Sequence, residues 1–360
     1  MDYNAALAHF PKITYSRYKK LVGYFINLKN LWDAELEEMV RAGLEENIAY
    51  EFITWRENNS VEKILENLFK ENIRTVSIGE EAYPRLLAEI NDPPHTLFVR
   101  GNLPKDKLPT LAVVGTRHCT GYGRQICREL VEILAGQGMV IVSGLALGID
   151  GIAHESALKA NGITVAVLGS GINKGNIYPP SHQALAEKII EQGGAVISEY
   201  PPGFLPTLYS FPARNRIIAG LSLGTLIIEA PEESGALITA RCALDYNREV
   251  MALPHPITST AGIGGNNLIK MGAKLINKAE DINEALNLQN IKETVHNREI
   301  LPDTPAEAAI LEQLGEEPKH IDEIIKTTGL DSPTVNSTLT MMEMKGMIKN
   351  LGGMTYVLGK

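Results

Sequence analysis

The sequence is short of the features that most readily announce a function. Only three cysteines, Cys119, Cys127 and Cys242, stand among its 360 residues. An odd, sparse set supplies no disulfide framework, and no C-x-x-C pair offers thiolates to zinc. Reduced, structural cysteines are expected. Positive charge is also scarce: 34 Lys and Arg face 43 Asp and Glu, a net charge of −9. A protein that coats duplex DNA carries a broad basic face, so a polyanion partner here must be held by a focused cluster. The most apolar stretch, Met139 to Ile149, is broken by Ser143, Gly144 and Gly148. It is too short to span a bilayer. The N-terminus carries Asp2 where a secretion signal carries positive charge. A soluble, cytoplasmic protein with no membrane partner is expected.

The usual catalytic signatures are missing as well. No G-x-x-x-x-G-K-[ST] loop is present, which argues against a Walker-type nucleotide triphosphatase. Neither a G-x-S-x-G elbow nor an H-E-x-x-H pair occurs. Asp150 and His154 have the spacing of one helix face, and they read as a helix N-cap and a core histidine rather than a metal pair. No metal and no cofactor is expected.

What is present is an ordinary globular composition, 44% hydrophobic and 21% charged, over a length that suits two or three domains. Residues 1–75 read as a small helical domain: Leu21, Val22 and Phe25, then Leu36, Met39 and Val40, recur at three- and four-residue spacing. Prolines at Pro84, Pro93 and Pro94 punctuate the approach to a core over 76–288. There, apolar runs alternate with helix-length amphipathic stretches. The runs are Leu111–Val114, Met139–Val142, Ile163–Leu168, Ala195–Ile197, Thr225–Ile228 and Val250–Leu253. Runs without polar alternation suit parallel strands covered on both faces, and the alternation with helices means a doubly wound α/β sheet. Residues 289–305, with Pro302 and Pro305, read as a linker. Residues 306–360 follow with helices near 306–314 and 320–328, a third from Ser332, and a hairpin turning at Gly352-Gly353. Three short helices and a hairpin make a winged helix-turn-helix.

The loops after the strands carry the chemistry. Gly115-Thr116-Arg117 follows the first run, Ser143-Gly144 the second and Gly169-Ser170-Gly171 the third, with Ser234-Gly235 further on. Ligands of such sheets bind at the carboxyl ends of the strands, where glycines admit backbone N–H groups and helix N-termini attract anions. Gly115-x5-Gly121-x-Gly123 departs from the dinucleotide fingerprint, so a phosphate of another kind is indicated. Arg117, Lys174, Arg214 and Arg216 fall on the same edge. The run Arg214-Asn215-Arg216, placed ahead of a helix at Ile217–Leu221, suits phosphates or bases, and Phe204 suits a stacked, unpaired base. Pairing of the arginines with Glu199 or Glu229, and plain packing of Phe204, are the structural alternatives.

These residues resemble the DNA-processing protein A (DprA, or Smf) family. The resemblance runs in order through Val114–Arg117 with Tyr122-Gly123, Ile141–Ala146 with Gly148-Ile149-Asp150 and Ala153-His154, and Tyr178-Pro179. It continues through Ile197–Glu199, Phe211-Pro212, Arg214–Ile218, Ser234-Gly235, Leu237–Ala240, Gly265-Asn266, Leu268-Ile269 and Gly272-Ala273. It implies a Rossmann-like, mostly parallel core flanked by the helical domain and the winged helix. It also implies a non-enzymatic homodimer that binds single-stranded DNA, protects incoming strands during natural transformation and loads the RecA recombinase. Carried over by motif, the DNA site comprises Gly115, Thr116, Arg117, Ser143, Gly144, Gly169, Ser170, Gly171, Lys174, Phe204, Arg214, Asn215, Arg216, Ser234 and Gly235.

Two parts depart from a simple DNA reader. Pro11–Tyr15 lacks the glycines that a helix-hairpin-helix turns against phosphates, and segment 306–360 carries a net −3 with only Lys345 near the end of its third helix. That winged helix contacts either protein or DNA. The competing class is a Rossmann enzyme of the lysine-decarboxylase-like type, which hydrolyses nucleoside monophosphates at a P-G-G-x-G-T loop. Here that loop reads Pro231-Glu232-Glu233-Ser234-Gly235, with Glu199 and Glu229 as candidate acid and base.

Overall fold

The computed structural model describes residues 2–288, 304–314, 318–344, 347–350 and 352–358. Among these, nine strands form one sheet in the order β1-β2-β6-β5-β4-β3-β7-β8-β9. Strands β1 (Arg74–Ser77) and β2 (Thr96–Gly101) form an antiparallel edge, β2 pairing antiparallel with β6 (Ala195–Ser198). The other pairs are parallel: β3 (Thr110–Val114), β4 (Val140–Ser143), β5 (Thr164–Leu168), β6, β7 (Gly224–Ile227), β8 (Glu249–Ala252) and β9 (Lys274–Leu275). Each of the six apolar runs of the core is a parallel strand. The two leading strands and β9, shorter or less apolar, were not legible as runs.

Side-chain alternation shows why the runs are continuously apolar. On β5, Val165 and Val167 enter one apolar cluster while Ala166 and Leu168 enter the other. Leu97 and Val99 of β2 likewise face one way and Phe98 the other. Both faces are covered, as a parallel sheet requires. The amphipathic stretches between the runs supply helices, among them Gly121–Gly136, Ile149–Lys159 and Gln183–Glu191. Helix Ser210–Gly220 starts well before the expected Ile217 and takes Arg214, Asn215 and Arg216 into its body. Pro212 is compatible because it lies in the first turn, where its missing N–H has no intrahelical partner to lose.

The chain divides into two compact units, Met1–Gln289 and Asn290–Lys360. The first 75 residues do not stand apart from the sheet. Their helices, among them Tyr3–Ala8, Tyr15–Tyr24 and Glu46–Glu57, share an apolar cluster with Phe98, Leu158, Ala166 and Leu168. The seam is aromatic: His9 meets Phe98 edge-on at 5.1 Å, and Tyr18 stacks on His95 at 4.6 Å. Val22 and Val40, expected on the buried stripe, are exposed.

In the second unit, helices Pro305–Gln313, Ile321–Thr328 and Ser332–Met344 enclose Ile310, Ile324, Val335, Leu339 and Met342. Strands Lys319–His320, Ile348–Asn350 and Thr355–Leu358 complete a three-stranded sheet. Residues 289–303 of the expected linker, and Lys345, lie outside the described residues. Among the described residues no helix is long and apolar enough to cross a membrane.

Candidate nucleic-acid interface

The chain leaves β3 toward β4 on one side, while β7 lies on the other side of β3. That reversal opens a crevice at the carboxyl ends of the strands, where sheets of this class bind ligands. A cleft of about 610 Å³ occupies this place. Gly115, Thr116 and Arg117 border it after β3, and Ser234 and Gly235 after β7. Arg214 and Asn215 border it from the helix Ser210–Gly220, together with Tyr178 and Phe211.

Arg117 is exposed, and its guanidinium lies over the Phe211 ring at 5.6 Å. Phe211 in turn meets the half-exposed Tyr178 at 5.6 Å. Among the described residues no carboxylate pairs with Arg117, so its charge is available to a ligand. Asn215 donates to the Gly235 carbonyl at 3.2 Å, which ties the helix to the opposite loop.

Arg214 faces inward, not outward. It is 4% exposed, and its Nη1 donates to the carbonyls of Gly144, at 2.5 Å, and Val167. Burial pulls its pKa down to about 10; Asp150 works in the opposite direction and Arg117 in the same one. Asp150 is not the helix cap. It is the second residue of the helix Ile149–Lys159, and its carboxylate accepts from the Gly144 N–H at 3.1 Å. Burial raises the Asp150 pKa, opposed by Arg214 and by backbone N–H groups of the same loops. Gly144 has the packing role that a glycine offers: a Cβ there would overlap the Arg214 guanidinium. Ser143 is buried beneath the same loop and donates to the Val113 carbonyl at 2.6 Å.

Arg216 is held by two carboxylates, Glu199 at 2.6 Å and Asp92 at 3.4 Å. These outweigh its burial and raise its pKa. The alternative of paired arginines therefore describes Arg216, and Arg214 is held by carbonyls.

The remaining expected residues form a neighbouring cluster that does not line the cleft. Gly171 donates its N–H to the Phe204 carbonyl at 2.9 Å, and Ser170 donates to the Asn176 carbonyl at 2.9 Å. The Phe204 ring stacks on Tyr200 at 4.3 Å with 10° between planes. A Cβ on Gly169 would stand 3.0 Å from the Ser210 carbonyl oxygen, so this glycine too serves packing. Lys174 is exposed beside them. The rings that line the cleft, Tyr178 and Phe211, stand in Tyr-Pro and Phe-Pro pairs visible in the sequence. Nothing there indicated that they meet.

His154 is a core histidine. The Thr164 hydroxyl donates to the Ile141 carbonyl at 2.7 Å, so it accepts from His154 Nδ1, also at 2.7 Å. Among the described residues no cluster of three or more metal-ligating side chains occurs.

Comparison with known proteins agrees with this architecture. The family described as DNA recombination-mediator protein A matches residues 74–287, and the DprA winged helix domain matches 296–354. Protein Smf of Escherichia coli is 40% identical over 87% of this chain and 84% of its own. Protein Smf of Synechocystis is 34% identical over 94% of each. The structure of DNA processing protein A from Streptococcus pneumoniae superposes with a TM-score of 0.66 at 35% identity, covering 78% of this chain and 96% of that one. The Helicobacter pylori protein, described for its single-stranded DNA binding mode, gives a TM-score of 0.53 at 31% identity over 62% and 96%. With a family match over most of the core, a second over the winged helix and close relatives along nearly the full length, this chain belongs to the DprA/Smf family of DNA-processing proteins.

Proposed function

We propose that this chain binds single-stranded DNA in the cleft at the end of β3 and β7, with no chemical step of its own. The observation that carries the proposal is Arg117: an exposed guanidinium with no carboxylate partner among the described residues, spread over Phe211 at the mouth of a nucleotide-sized crevice. Arg117 bonds a phosphate through its planar fork, and the exposed face of Tyr178 takes an unpaired base. A volume of about 610 Å³ is on the scale of small-ligand pockets. A flexible strand can lower single nucleotides into such a space and a rigid duplex cannot. The single-stranded DNA binding described for the Helicobacter pylori relative supports the same reading.

The finer reading is that the protein acts as a homodimer, protects incoming strands in natural transformation and loads RecA recombinase onto them. Its support is membership of a family described as recombination mediators. Glu199, the candidate acid or base, is engaged by Arg216, and Glu229 is enclosed behind the cleft. Hydrolysis of nucleoside monophosphates is therefore the weaker alternative. Fluorescence anisotropy with single- and double-stranded oligonucleotides tests the binding. Preference for the single strand, lost with Arg117→Ala, is expected; equal affinity for duplex contradicts it. Acceleration of RecA filament assembly on the bound strand tests the loading.

A further inference from the structure

A doubly wound sheet offers its first helix N-terminus to a ligand phosphate, because unsatisfied N–H groups and the helix dipole converge there. In this chain the place belongs to the helix Gly121–Gly136, which follows β3. It is filled by the protein's own carboxylate. Glu229, 1% exposed just beyond β7, accepts from the Thr120 N–H at 2.8 Å and from the Thr120 hydroxyl at 2.5 Å. Thr120 is the N-cap of that helix, its hydroxyl accepting from the Gly123 N–H at 3.1 Å. Gly123 leaves the room: a Cβ there would overlap the Glu229 carboxylate. His255 closes the far side, with Nε2 at 3.5 Å from the carboxylate and Nδ1 turned to the Leu253 carbonyl at 3.1 Å. The Tyr122 ring stands edge-on to His255 at 5.3 Å.

Glu229 holds the same loop at its other end. Its main-chain carbonyl accepts from the Thr116 N–H at 2.8 Å. One residue therefore pins both feet of the segment 116–120, and Arg117 projects from the span between them. We infer that Glu229 is an internal anion that fills the phosphate seat of the first helix and positions Arg117 for the DNA strand. The positioning half rests on the reading of Arg117 given under the proposed function; the anion seat does not. Glu229→Gln removes the charge. Its amide oxygen still accepts from the Thr120 N–H, but its N–H₂ only donates. The Thr120 hydroxyl, which already accepts from the Gly123 N–H, loses its charge-assisted bond to a carboxylate, and the foot is weakened.

The test uses the full-length protein in two arms. In the first, Glu229→Gln weakens binding of a single-stranded oligonucleotide about tenfold in anisotropy, while the same change in an Arg117→Ala background costs less than about twofold, the signature of coupled residues. Wild-type affinity for Glu229→Gln, or a full additional loss in the double variant, overturns the positioning role. If Arg117→Ala alone binds as wild type, the DNA reading of the loop fails instead. In the second arm, formate is added to Glu229→Ala, with chloride at equal ionic strength as the control. Formate is expected to raise the thermal midpoint of the variant above the chloride control and to leave the wild type unchanged. An equal response to chloride overturns the anion seat. If Glu229→Ala does not fold, formate is expected to restore its folded circular-dichroism signal and chloride is not, and an equal response to chloride again overturns the anion seat.

Discussion

Arg214 and Gly144 are locked together at the base of the cleft: the guanidinium donates to the Gly144 carbonyl at 2.5 Å and fills the space a side chain at 144 would need. The same Nη1 also reaches the Val167 carbonyl, so one side chain ties the ends of β4 and β5. Removing it leaves two carbonyls without their donor and takes from the buried Asp150 the positive charge that favours its ionised form. Arg214→Ala is expected to cost about 3–5 kcal/mol of stability, the range for breaking a buried charged contact. Urea unfolding measures this. An unchanged midpoint with lost DNA binding would make Arg214 a ligand contact instead.

Arg117→Ala has the opposite signature. The side chain is exposed and has no carboxylate partner among the described residues, so folding is expected to be unaffected and binding of single-stranded oligonucleotides to fall by about 1–3 kcal/mol. Anisotropy alongside a thermal melt separates the two effects.

The rings separate in the same way. Tyr178→Ala, at the cleft, is expected to weaken single-strand binding by about 1–3 kcal/mol through lost stacking. Phe204→Ala removes a ring already stacked on Tyr200, outside the cleft lining, and is expected to change binding less than Tyr178→Ala does. A larger loss with Phe204→Ala in an equilibrium titration would move the base-stacking site to the neighbouring loop.

Two buried histidines set an acid limit to stability. Burial pulls His154 from 6.5 to about 3 and His95 from 6.5 to about 4. Their native pKa values lie below the unfolded ones, so the unfolded chain binds more protons as pH falls. Neither group affects stability above about pH 7. Between 6.5 and about 4, each costs about 1.4 kcal/mol per pH unit. Urea midpoints should fall steeply from pH 6.5 to pH 4.5, and a flat profile over that window would contradict neutral burial.

The core and the winged helix were legible because continuous apolar runs and capped short helices are local patterns. Strands β1, at the edge, and β2, inside it, were less so: β1 is short and mostly polar, and β2 pairs antiparallel with β6, distant in sequence. The front helices looked like a separate domain because their periodicity is self-contained. Their burial against Phe98 and Leu158 appears only when the sheet is assembled. At the site, the glycine-rich loops do follow the strands, whereas Arg214 and Arg216 lie inside a helix, and composition does not say which way a side chain faces. Arg117, Arg214 and Arg216 look alike as letters; their surroundings make one free, one bonded to carbonyls and one paired with Glu199.

That division fixes the most direct test, the salt dependence of single-strand binding. For single strands, log K falls with log[salt] by about 0.7 for each phosphate neutralised. With Arg216 paired and Arg214 enclosed, Arg117 and Lys174 are the expected site cations that stay exposed among the described residues, and the account predicts a slope of about −1.4 per chain. Arg117→Ala should halve it. A slope near zero, or one that Arg117→Ala leaves unchanged, would contradict a DNA strand held at this cleft.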